Sequence, residues 1–241
     1  MRDIMAASFY RFKKSRDLFY AILVAILIGT SLGFSTYVQN EEIRLSVIGS
    51  IDTWMFMSFL IIMIFITAYL AGDFRNKTIY YEIMSGHSSS EIVIGRMIPI
   101  VIFSIIILSV ELIGTYSFGI IWGGWGTVIG SFREGVIRWF LLMCNALPFI
   151  VLCMFSIYLT KTVVGGLVLD WLMWIIIQIP LFLVTVVQWN ISNFSLVINM
   201  RRIMETPLDY LFCLSIIGIS MIKVLFIVVI SIWVLKRSDL K

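Results

Sequence analysis

Three ionisable residues, Glu111, Asp170 and Lys223, stand inside long apolar runs, where a charge needs a chemical reason. In a membrane such side chains face the bundle interior, where they pair with one another or contact trapped water. At a rise of about 1.5 Å per residue, Glu111 and Lys223 both fall roughly 20 Å from the cytoplasmic ends of their runs, so they can meet. They read either as a buried ion pair that fixes packing or as part of a translocation path. Asp170 falls roughly 10 Å from the same side, where cytoplasmic water can reach it. Catalytic chemistry finds little support. His87 is the one histidine, and Cys144, Cys153 and Cys213 lack metal-ligand spacing, so a zinc site has no donor set. A Ser-His-Asp triad would have to use His87, which lies in a polar connector away from any nucleophile in an apolar run. No Gly-Lys pair occurs, so the chain has no P-loop to hold nucleotide phosphates. The cysteines lie in or beside apolar runs and read as buried thiols. We expect no enzyme activity, cofactor or metal in this chain.

A second pattern lies in the connector Gly72–Arg96. Thr78 suits the N-cap of a short helix with Tyr81 and Glu82 in its first turn, and Ser85-Gly86 suits its stop. Ser90 and Glu91 then suit the start of the next helix. Ile79, Ile83 and Met84 share one face of the short helix. Held between two long apolar helices, it reads as a docking element for another protein, with Tyr80 and Tyr81 as aromatic anchors.

The elements that must position these residues are membrane helices. Of the 241 residues, 61% are hydrophobic and 13% charged, and the mean hydropathy is +1.04. A soluble domain is about half apolar and a quarter charged. Six runs reach the roughly 20 residues needed to cross a bilayer: Leu18–Val38, Ile51–Ala71, Met97–Ile121, Val136–Leu159, Val163–Val187 and Leu211–Leu235. The first is longer than the roughly 7–15 residue apolar region of a signal peptide, so it reads as a retained helix. Alternate connectors differ in basic charge. Arg2, Arg11, Lys13, Lys14, Arg16, Arg75, Lys77, Arg96, Lys161, Lys236, Arg237 and Lys241 fall on one side. Arg44, Arg133, Arg138, Arg201 and Arg202 fall on the other. Twelve against five places both termini in the cytoplasm. The basic residues form no contiguous face of the kind nucleic acid requires.

Met5, Phe9 and Phe12 recur at helical spacing in the leader, so residues 1–17 read as an amphipathic helix on the cytoplasmic leaflet. Arg11, Lys14 and Arg16 are expected to face lipid phosphates. Residues 18–241 make up the six-helix domain. Trp54, Trp122, Trp125, Trp139, Trp189 and Trp233 lie near run ends, as interfacial rings do, whereas Trp171 and Trp174 are deeper and expected to pack between helices. Gly29-x-x-x-Gly33 permits close helix contact. The stretch Gln188–Leu211 is mixed in character and is expected to fold back on the outer leaflet.

Together the basic leader helix, six runs and the Asp73, Phe74, Thr78, Ile79, Ser85 and Arg96 pattern after the second run resemble the permease subunits of ABC-2 type (type V) ABC exporters. The resemblance spans the whole chain in architecture and about 25 residues in motif. Two signature positions usually Glu and Gly in that family are Asp73 and Lys77 here. It implies an all-α membrane protein of six transmembrane helices, with an elbow helix and a short cytoplasmic coupling helix. In that frame Asp73, Phe74, Thr78, Ile79, Tyr80, Tyr81, Ile83 and Met84 dock a separate ATP-binding subunit, present in two copies and carrying ATP and Mg. A second permease chain, identical or different, completes the assembly in a bacterial cytoplasmic membrane. Glu111, Asp170 and Lys223 then line the path, and Gln188–Leu211 is an extracellular gate. The small lantibiotic-immunity permeases suggest an amphipathic or hydrophobic cargo such as an antimicrobial peptide. The alternative is a stand-alone membrane interaction or immunity protein that works without ATP.

Overall fold

The computed structural model describes the backbone of residues 1–38, 43–123, 132–186, 195–205 and 208–238. Side chains are described for 1–34, 56–117, 121, 133–176, 195–204 and 208–237. Among these residues every element is helical: α1 (Arg2–Lys14), α2 (Arg16–Val38), α3 (Ile43–Arg75), α4 (Thr78–Met84), α5 (Ser89–Gly123), α6 (Phe132–Thr160), α7 (Val163–Val186), α8 (Leu196–Glu205) and α9 (Tyr210–Ser238). Five of these, α2, α3, α5, α6 and α9, are long and apolar enough to cross a membrane. Helix α7 carries the shorter apolar stretch Val163–Ile176 among its described side chains.

Helices α3 and α6 are the most deeply buried of the five, whereas α2 and α9 bury the smallest share of their side chains. That outward surface is apolar, with Phe19, Leu27 and Phe34 on α2 and Ile222, Leu225, Phe226 and Val229 on α9. In water so large an apolar exterior would be unstable, but in lipid it is the ordinary solvent-facing surface. The core is aliphatic and aromatic. Phe59, Phe149 and Trp174 meet with ring centroids 4.3–5.9 Å apart, joining α3, α6 and α7. Trp174 packs between helices as expected. Trp171 does so only in part: its ring meets Phe56 of α3 at 6.0 Å, yet it is 43% exposed at the outer edge of α7. Trp139 and Trp233 are exposed near helix ends. The side chains of Trp54, Trp122, Trp125 and Trp189 lie outside the described residues.

Two close crossings set the bundle. The main α2 contact is with α5, where a Cβ built on Gly29 would lie 2.3 Å from the Glu111 carbonyl oxygen. Opposite it, a Cβ on Gly114 would lie 3.2 Å from the Thr30 amide nitrogen. Gly29, the first glycine of the pair expected in α2, thus makes its close contact within the chain, matched by Gly114 from α5. At the second crossing, a Cβ on Gly166 would lie 2.0 Å from Ile157 Cδ1 and 3.3 Å from Thr67 Cγ2, so α7 runs hard against α6 and α3.

The ends of the bundle sort cleanly. Helix α1, the end of α3, α4, the start of α5 and the 160–162 turn share one end: Lys161 Nζ sits 5.9 Å over the Tyr80 ring, and the Phe74 and Tyr158 rings are 6.1 Å apart. At the other end α8 folds back onto α6. The Asn145 side-chain amide donates to the Leu196 carbonyl at 2.9 Å, the Arg138 guanidinium donates to the Ile203 carbonyl, and Arg202 lies 4.7 Å over Phe212 at the start of α9. Of the Gln188–Leu211 stretch, residues 188–194 and 206–207 lie outside the described residues.

Candidate functional site

Helix α4 is short because both its ends are closed by backbone geometry. Thr78 is its first helical residue and not its cap. Lys77 stands before it in the left-handed region at φ 57°, with no side-chain cap. The Lys77 amide donates to Phe74 O, and its carbonyl accepts from the Tyr81 amide, so one residue reverses the chain between α3 and α4. At the far end Gly86, at φ 91°, donates to Ile83 O while His87 donates to Glu82 O. This paired 6→1 and 5→2 closure is the Schellman stop that favours glycine. Helix α5 then opens on Ser88 and not Ser90. The Glu91 amide donates to Ser88 Oγ at 3.3 Å and the Ser88 amide donates to Glu91 Oε2 at 3.0 Å, a reciprocal capping box.

The α4 side chains divide into an inner and an outer set. Ile79 is 1% exposed and Ile83 packs against the same core, whereas Tyr81 is 66% and Met84 82% exposed. Tyr80 is exposed at the edge and Thr78 is half-buried. Asp73 and Phe74, expected to meet a partner, are buried within the chain, as is Ile79. The reason is packing: one turn of helix lying on a bundle must spend its apolar face on the bundle. Its outer surface is therefore Tyr80, Tyr81 and Met84, flanked by exposed Arg75 and Lys77.

Beneath α4 lies an ionic knot. Asp73, fully buried at the end of α3, pairs with Arg11 of α1 and with Arg96 of α5. Arg96, itself 2% exposed, also donates to Glu82 Oε1 of α4 at 2.8 Å. Two guanidinium groups and two carboxylates thus tie four helices together. Half-burial pushes the Glu82 carboxyl up from its ordinary value, opposed by the charge of His87. Arg11 does not face lipid phosphates as expected. Its guanidinium lies 4.5 Å over the Tyr69 ring and also donates to Tyr69 O at 3.4 Å. Around it Phe12 stacks on Tyr69 at 3.8 Å and meets Phe103 at 4.7 Å. The buried stripe of α1 is Ile4, Ser8 and Phe12, with Met5 and Phe9 at its margin. Ile4 rests on α5 at Gly95, where a Cβ would approach its Cγ2 to 3.2 Å.

The intramembrane residues are separate from this knot. Glu111 is fully buried at the α2–α5 crossing, while Lys223 is half-buried on α9. No ion pair joins them among the described residues. Equal depth fixes height along a helix, not the direction in which a side chain points, and α9 packs mainly against α6. Asp170 is fully buried rather than open to cytoplasmic water. Close packing at Gly166, one turn earlier, brings its carboxyl onto Thr67 of α3 and Ser156 of α6. Cys153 is buried beside it, and Cys144 is also buried as a free thiol, while Cys213 is partly exposed. No cluster of three metal-ligating side chains occurs among the described residues. No family model matches the chain, and no curated protein matches it.

Proposed function

We propose that this chain is the membrane-spanning permease subunit of an ATP-driven exporter, with six transmembrane helices, α7 being the sixth, and both termini in the cytoplasm. The observation that carries the reading is α4. It is a single short helix at the basic end of an apolar bundle, held by buried ion pairs and displaying Tyr81 and Met84 outward. A large aromatic and an exposed methionine beside Arg75 and Lys77 suit an apolar groove with an acidic rim on a separate ATP-binding protein. ATP-driven movement of that protein pushes α4, and the Glu82–Arg96–Asp73–Arg11 connection carries the push to α5, α3 and the α1 elbow. The cargo is amphipathic or hydrophobic, such as an antimicrobial peptide, and α8 closes the path on the outer face.

The test is co-purification from the native cell. Met84→Asp, combined with Tyr81→Ala, should release the ATPase and abolish ATP-dependent export while the melting temperature of the membrane domain holds. Ile79→Asp is a poorer probe, since it places a charge in the bundle core. If the wild-type chain recruits no ATPase, the stand-alone membrane interaction protein is the better reading.

A further inference from the structure

Asp170 sits where a charge would need a counter-ion. It is fully buried among α3, α6 and α7, and no Lys, Arg or His lies within ion-pair distance among the described residues. Its partners are two hydroxyls and a thiol. Thr67 Oγ1 donates to Oδ2 at 3.1 Å, Ser156 Oγ is hydrogen-bonded to Oδ1, and the Cys153 thiol faces the same carboxyl. An isolated carboxylate in so apolar a place carries a large solvation cost and is ordinarily relieved by a counter-ion or by a proton.

A count of hydrogens favours the proton. Ser156 has a single hydroxyl hydrogen and two oxygens within its reach, the Cys153 carbonyl at 2.8 Å and Asp170 Oδ1. Beside an ionised Asp170 it can serve only one of them in full. With a proton on Oδ1 the chain closes: Asp170 donates to Ser156, Ser156 donates to Cys153 O, and Thr67 donates to Oδ2. Without it, Ser156 donates either to Oδ1 or to Cys153 O, and the other oxygen goes without its hydrogen.

We propose that Asp170 is a proton-binding site within the bundle, holding a neutral carboxylic acid that donates to Ser156 and clamps α7 to α3 and α6. No charged group faces it from α3, α6 or α8 among the described contacts; Cys153 is the one other titratable neighbour. The site lies away from α4 and does not depend on any partner of that helix.

The test is infrared spectroscopy of the purified protein in lipid at neutral pH, with 13C-labelled aspartate. The expected spectrum contains the carbonyl stretch of a protonated carboxyl that disappears in Asp170→Asn. In Ser156→Ala, which keeps the acid but removes its acceptor, the band persists and shifts to higher frequency. Asp170→Asn, which copies the donor and acceptor of the neutral acid, should melt close to wild type, and Asp170→Ala well below it. A wild-type spectrum showing only ionised aspartate overturns the proposal whether or not the variants fold. So does a melting temperature that rises with sodium concentration in wild type but not in Asp170→Asn, because that marks a metal cation in place of the proton.

Discussion

The closest helix approach to α2 is set by a residue with no side chain. A methyl group on Gly29 would collide with the backbone of Glu111, and backbone cannot swing aside as a side chain can. Gly29→Ala should therefore cost about 1–3 kcal/mol, the usual range for overpacking a close contact. It should appear as a lower melting temperature in detergent. Gly218→Ala is the control: nothing lies within 4 Å of its built Cβ, and alanine favours helix, so no loss is expected. The Gly29-x-x-x-Gly33 spacing announced this contact in the sequence. Its partner Gly114 carried no such signal, because a lone glycine in an apolar run has no pattern to distinguish it. Glu111 and Lys223 show the opposite failure. Their depths agree, but depth leaves the azimuth of each helix open. Since no ion pair joins them, the stability changes of Glu111→Gln and Lys223→Met should add to within about 0.5 kcal/mol in a double-mutant cycle. A coupling clearly larger than that would show that the two helices bring them together.

At the scale of the element, the knot under α4 makes three helices, α1, α3 and α5, depend on the one carboxylate of Asp73. Asp73→Ala leaves Arg11 and Arg96 facing each other without it, and breaking a buried pair on one side typically costs about 3–5 kcal/mol. Arg11→Ala removes the more exposed guanidinium, whose side chain is 38% accessible, so its loss should be markedly smaller. Unfolding of both variants in the same detergent tests the order; a larger loss for Arg11→Ala would place the load on α1 and not on Asp73. The short helix and its glycine stop were legible before the fold, because Gly86 and the Thr78–Ser85 pattern are local signals. The inward turn of Asp73 was not, since an acidic residue in a polar connector reads as solvated until its neighbours are placed. Arg11 is a different case. It stands seven residues after Ile4, almost two full turns, and so lies on the stripe that α1 buries. Its basic type suggested the lipid surface, but its spacing already pointed inward.

The architecture of the whole molecule separates two questions that sequence reasoning merges: which segments share an end, and which side of the membrane that end faces. The first is answered by packing. Ser85 follows α4, and Thr162 belongs to the turn whose Lys161 reaches Tyr80, so both lie at the α1 end. Tyr210 opens α9 beside Arg202 and Phe212 at the opposite end, where it is 74% exposed. The second question rests on charge. The α1 end carries most of the Lys and Arg outside the apolar runs, and such bias keeps connectors in the cytoplasm. Single cysteines at Ser85, Thr162 and Tyr210, placed in a chain lacking Cys144, Cys153 and Cys213, test both at once. An impermeant thiol reagent added to intact cells should label Tyr210→Cys alone, while Ser85→Cys and Thr162→Cys should react only after the membrane is opened. Labelling of Ser85→Cys and Thr162→Cys from outside, with Tyr210→Cys protected, would invert the orientation and leave the bundle intact. Opposite behaviour of Ser85→Cys and Thr162→Cys would break the packing itself, because a helix and the turn beneath it cannot lie on two sides of a bilayer. Inversion alone would put α4 beyond the reach of any cytoplasmic ATPase, so the orientation of this one short helix decides whether the bundle can be driven by ATP at all.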